Sequence, residues 1–140
     1  MPASDALSSI EGLTSIPGSL GAKETMDRLE AEIRTKGLTI FARIDHAAGA
    51  AEVGPQLAPT NLIIFGNARG GTPLMQSAQT VGIDLPLKIL VWQDAANNTW
   101  LSYNEPPRIA QRHGVLNAEA IVSKMADLLR AISAAASGPG

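Results

Sequence analysis

The order of periodicities along the chain predicts an α+β domain in two layers, with a mainly antiparallel sheet packed by helices in the order β-α-β-β-α-β-β-α-α. Helical stripes and alternating apolar runs follow one another irregularly, not as repeated β-α-β units. Leu87 to Trp92 and Thr99 to Tyr103 are joined only by QDAANN, too short a connection for anything but an antiparallel pair. Two helical segments then follow in succession at the C-terminal end. The 140 residues are read as a single domain, long enough to support a real core, with about 8–132 ordered. Residues 1–7 and 133–140 are small, polar or Gly/Pro-rich and are expected to fray.

Each element has a local reason. A first strand is expected within Ser8–Ile16, where the residues tolerate extended backbone. Gly21 can cap a helix over Ala22–Lys36, with Glu24 at N3. Its apolar stripe is Met26, Leu29 and Ile33, and Gly37 supplies the left-handed stop. Leu38 to Asp45 alternates as a strand, with Leu38, Ile40, Ala42 and Ile44 on one face and Thr39, Phe41, Arg43 and Asp45 on the other. The Ala-rich HAAGAAEVG that follows is compatible with a short helix or an irregular segment. Thr60 to Phe65 reads as an internal strand.

The next helix is expected over Pro73–Val81, with Thr72 as N-cap and Pro73 at N1, where its missing N–H costs nothing. After the hairpin, Pro106 opens a short helix that ends at Gly114. A last helix over Ala118–Ile132 follows an Asn117 cap and carries Ile121, Met125, Leu128, Leu129 and Ile132 on one stripe.

Composition narrows the function. The net charge of −2 has no basic block beside it, so nucleic acid is not an expected partner. With no cysteine, disulfides, thiolate metal sites and cysteine nucleophiles are excluded. Two histidines without metal-ligand spacing point to no metal, and no cofactor is expected. No run approaches the length of a membrane span, and the N-terminus lacks the basic and apolar regions of a secretory signal, so a cytoplasmic protein is expected.

The residues that bear chemistry cluster at predicted strand ends. GNARGGT, Gly66 to Thr72, has phosphate-loop glycine spacing but no Lys after its second glycine, so triphosphate hydrolysis is disfavoured. Gly66, Gly70 and Gly71 are accounted for by a tight strand-to-helix turn with positive φ, and otherwise by a weak anion site at the helix N-terminus near Arg69. Asp45 and His46 close a strand and point to opposite faces, so they are not a dyad. His46, in register with Ile44 and Ala42, is expected to be half-buried; at the sheet rim it would instead shuttle a proton or hold an anion. Asp45 has an alternative use as a helix cap. Asp84 supports the turn before Pro86 and is placed to form a surface ion pair with Lys88; a desolvated Lys88 would instead bind a carboxylate or form a Schiff base. Tyr103 and Asn104 end the second hairpin strand and can join the same rim.

Five phrases occur in order: FARIDHAAGA (41–50), PTNLIIFGN (59–67), GTPLMQ (71–76), DLPLK (84–88) and WLSYNEP (100–106). With them the chain resembles the domain-of-unknown-function 302 family from about Gly21 to Gly114. The resemblance implies a compact α+β domain with a curved antiparallel sheet, pairing as a homodimer, and assigns no activity. It carries over to Asp45-His46, Phe65-Gly66-Asn67, Gly71-Thr72-Pro73, Asp84-Leu85-Pro86, Lys88 and Tyr103-Asn104. The hairpin departs from it, since ANN stands where an Asp-Gly type of turn is expected.

The leading expectation is a module that binds a small, anionic ligand in a polar pocket at the sheet rim, lined by His46, Asn67, Thr72, Lys88, Tyr103 and Asn104. One rival is a cofactor-independent enzyme with His46 as acid/base and Lys88 as anion clamp, which requires the two groups to converge. Another is a structural, dimer-forming subunit with an interface built on Trp92, Trp100 and Phe41.

Overall fold

In the computed structural model, which describes residues 10–138, five strands form one antiparallel sheet in the order β1-β5-β4-β3-β2. The strands are β1 (Leu13–Gly18), β2 (Thr39–Asp45), β3 (Thr60–Gly66), β4 (Leu87–Gln93) and β5 (Thr99–Asn104). The helices are α1 (Ala22–Thr35), α2 (His46–Val53), α3 (Ala68–Ser77), α4 (Pro106–His113) and α5 (Glu119–Ala136), with a 3-10 turn at Gln79–Ile83. This is the expected α+β class, with one helix, α2, added between β2 and β3.

The core lies between one face of the sheet and helices α1 and α5. Met26, Leu29 and Ile33 of α1 are fully buried, as their spacing predicts, against Ile63, Phe65, Ile89, Val91 and Leu101 of the sheet. Burying side chains of this size stabilises the fold by about 1.5–3 kcal/mol each. Gly37 (φ 73°) and Gly114 (φ 67°) take the left-handed conformation that ends α1 and α4.

Several expectations are corrected. The first strand begins at Leu13, later than Ser8; residues 8 and 9 lie outside the described residues. β2 does not keep one apolar face, because a bulge between Ile40 and Ala42 changes the parity of the strand. Ile40 therefore pairs with buried Phe65 on the helix-packed face, while Ala42 and Ile44 pair with Ile64 and Leu62 on the other.

α3 begins at Ala68, not Pro73, because Asn67 caps it: its Oδ1 accepts the Gly70 N–H at 2.8 Å. Pro73 sits inside this helix, where its lack of an N–H forfeits one bond. Gly70 and Gly71 are helical and are not among the residues with positive φ. Asn117 is not the cap of α5, whose N-cap is Ala118. That helix also continues through Ser133 to Ala136 in place of fraying, since Ser133 and Ala136 are small enough to be fully buried.

The β4–β5 turn is built without glycine. Asp94 Oδ1 accepts N–H groups from Ala96 and Asn98, and Asn97 takes φ 64°, a conformation asparagine tolerates.

Candidate functional site

The ladder between β4 and β5 is in register from Leu90↔Ser102 to Gln93↔Thr99, and the residues that would extend it, Lys88, Ile89, Tyr103 and Asn104, lie beyond it. A cavity of about 380 Å³ lies there, and Lys88, Tyr103 and Asn104 all line it. Its other walls are mostly apolar, with Leu13, Leu62, Leu90 and Trp92 among them. Ser102 also lines it, but its hydroxyl is engaged with Ser15 Oγ at 2.7 Å and accepts from Trp92 Nε1 at 2.9 Å.

Lys88 is the distinctive group of this cavity. It stands on β4 opposite Ile64 and is half-buried. Its Nζ donates to two backbone carbonyls, Asp84 O at 3.2 Å and Pro86 O at 2.9 Å, and among the described residues it forms no ion pair. The expected Asp84–Lys88 salt bridge is therefore not made, because the Asp84 carboxylate is occupied elsewhere. Burial lowers the Lys88 pKa below 10.5, and the nearby Asp84 charge only partly opposes this. Tyr103, 8% exposed, has its hydroxyl pKa pushed up by burial.

Asp84 anchors a cluster that the sequence did not disclose. Its Oδ2 accepts from Arg112 at 2.8 Å and lies 2.6 Å from His113 Nε2, and His113 Nδ1 lies 2.9 Å from Thr80 Oγ1. An ionised carboxylate only accepts, so His113 donates to it through Nε2. Burial would raise the Asp84 pKa, but hydrogen bonds and positive charge from His113 and Arg112 outweigh it and hold the carboxyl below 3.8. The cluster ties α4 to the segment leading into β4. Asp84 and His113 are 29 residues apart with no motif joining them, so no sequence signal could have found the pair.

The remaining expected residues are elsewhere. Asn67 and Thr72 line a second cavity of about 370 Å³ beside α3, with Phe41, Met75 and Met125. His46 is exposed, not half-buried, because the strand ends at Asp45 and His46 opens α2. Asp45 caps that helix, accepting the Ala48 N–H at 2.9 Å. His46 lines neither cavity. Lys88 is across the sheet from Ile64 and Ala42, four residues from His46 along β2, which is about 13 Å along the strand direction alone. The two groups do not converge, and an acid/base mechanism shared between them has no geometry to support it.

The aromatic interface is also divided. Trp92 and Trp100 stack at 6.3 Å, but Trp100 is buried with its N–H given to Asp94, and Phe41 borders the other cavity. No group of three or more metal-ligating side chains gathers among the described residues, and no helix there is long and apolar enough to cross a membrane.

The antiparallel sheet with its helical layer and the match over residues 15–132 place this chain in the family described as "Domain of unknown function DUF302", to which it belongs. The crystal structure of a conserved DUF302 protein from Bacillus stearothermophilus shares the fold, with a TM-score of 0.80 at 19% identity over 91% of this chain and 99% of that one. Among curated relatives, "Fluoride-specific ion channel FluC 1" of Brucella suis is 44% identical over 104 residues, 74% of this chain and 41% of that protein. "Fluoride-specific ion channel FluC 2" of Brucella melitensis matches at 44% over 104 residues, covering 38% of its length. The chain thus spans about two fifths of the length of the curated relatives it matches.

Proposed function

We propose that this chain is a binding module for a small organic anion, held in the β4–β5 cavity by Lys88. The observation that carries this reading is a half-buried ammonium whose acceptors among the described residues are two neutral carbonyls, facing a largely apolar space in which the one carboxylate of the described lining, Asp84, is already engaged by Arg112 and His113. A charge in that position gains most from an anion that shares its desolvated surroundings. The apolar walls favour a carboxylate attached to a hydrocarbon or aromatic body over a bare inorganic ion.

A thermal-shift panel of carboxylates, phosphate, chloride and fluoride tests this. A ligand at a hundred times its Kd adds about 2.7 kcal/mol to stability. That shift is expected with an amphipathic carboxylate, is lost in Lys88→Met, and fades as pH rises toward the Lys88 pKa, below the ordinary 10.5. A shift that survives in folded Lys88→Met rules the site out.

The Brucella relatives support a second reading, an accessory part of an anion channel whose pore lies in other segments. In that case fluoride, and not chloride or the carboxylates, gives the shift.

A further inference from the structure

We propose that the second cavity, beside α3, is a separate binding site for a small, flat, uncharged apolar molecule. Its volume of about 370 Å³ suits such a ligand. Among the described residues no Asp, Glu, Lys, Arg or His lines it, so a charged guest would lose its hydration without a compensating partner. Its polar side chains are Asn67 and Thr72, and the Asn67 carbonyl oxygen is already spent on the cap of α3.

The glycines of its wall are an independent observation. Gly70 and Gly71 lie within α3, where glycine weakens a helix relative to alanine, and neither has a positive φ that would require it. A Cβ on Gly71 would meet Met75 Cε at 3.5 Å and Leu85 Cδ1 at 3.7 Å, which is ordinary contact, so packing does not forbid alanine there either. A Cβ on Gly70 would meet the end of the Met125 side chain at 3.3 Å, a tight contact that this side chain must yield to, and the cap oxygen of Asn67 at 3.6 Å. The flat peptide wall left without side chains is covered by the Met75 and Met125 methyl groups, 3.5 and 3.3 Å from where the Gly71 and Gly70 Cβ atoms would stand. Both side chains are unbranched thioethers that can change rotamer to uncover this wall and make favourable contacts with an aromatic ring in their place. Phe41, 57% exposed, borders the same space.

The test follows the methionine methyl groups. Protein labelled with [methyl-13C]methionine is titrated with N-phenyl-1-naphthylamine, an uncharged probe made of a naphthyl and a phenyl group, and with 8-anilinonaphthalene-1-sulfonate, the same ring system bearing a charge. The neutral probe is expected to move the Met75 and Met125 resonances to saturation and to leave Met26, fully buried between α1 and the sheet, in place. The sulfonate is expected to bind more weakly at those methyls. Gly71→Leu, which fills the space, should weaken the neutral probe by about tenfold or more. Should that variant not fold, Gly71→Ala decides the matter, with a smaller loss of affinity and no loss of melting temperature. Unmoved Met75 and Met125 signals, equal binding by a folded Gly71 variant, or a preference for the sulfonate would each overturn the proposal.

Discussion

Two cavities of nearly equal volume, about 380 and 370 Å³, differ in charge: the first is lined by the half-buried Lys88 ammonium and by Asp84, whose carboxylate is engaged by His113 and Arg112, and the second by no charged side chain among the described residues. The segment from Asp84 to Lys88 serves both. Asp84 and Lys88 line the first cavity, Leu85 and Pro86 the second, and Leu87 borders each. Size alone says little about what a site accepts. What separates these two is which side chains of one short segment turn toward which space, and whether their charges have partners.

Leu87 is the place to break that separation. It is 7% exposed, and Leu87→Ala should cost about 2–5 kcal/mol in denaturant unfolding, as for other buried leucines. It should also join the two spaces. A carboxylate ligand and a neutral aromatic probe, independent in the wild type, would then compete. A loss below about 1 kcal/mol would show that the surroundings collapse into the gap and that Leu87 is not the dividing wall.

The Asp84 cluster sharpens the comparison at its polar end. In Asp84→Asn the charged acceptor of His113 and Arg112 is lost, and stability at neutral pH should fall by about 1–2 kcal/mol. The Asp84 pKa is depressed in the fold, so its contribution is present above 3.8 and lost as pH falls through the lower folded value. Wild-type stability measured by denaturant titration should therefore drop more steeply below pH 3.8 than that of the variant. Matching slopes would mean that the cluster does not hold this carboxylate ionised.

The layout of the fold was readable because it rests on repeated local signals. The Met26, Leu29, Ile33 stripe acts through several residues with one periodicity, and the stop at Gly37 and the short β4–β5 connection agree with the elements they bound. The errors fall where one residue overrides a pattern. The bulge at β2 reverses a face without changing composition, and Asn67 caps α3 five residues before the more conspicuous Thr72-Pro73. The candidate site was half legible. Lys88, Tyr103 and Asn104 share a cavity because strand ends gather polar residues, but Asn67 and Thr72 belong to another. The Asp84–His113 contact depends on how α4 docks, which no spacing encodes.

His46 gives the smallest expected effect and the clearest contrast with Lys88. Both were polar residues at predicted strand ends, yet one is half-buried on a strand facing a cavity and the other is exposed at the start of α2. α2 buries none of its own residues, and its cap comes from Asp45, so His46 contributes neither packing nor the capping bond. His46→Ala should change stability by less than about 0.5 kcal/mol, as for exposed sites generally. It should also leave the ligand-induced shifts at both cavities intact. If His46→Ala abolished the anion-dependent shift while Lys88→Met preserved it, the binding surface would lie at the β2–α2 junction, and the β4–β5 cavity would be a gap in packing.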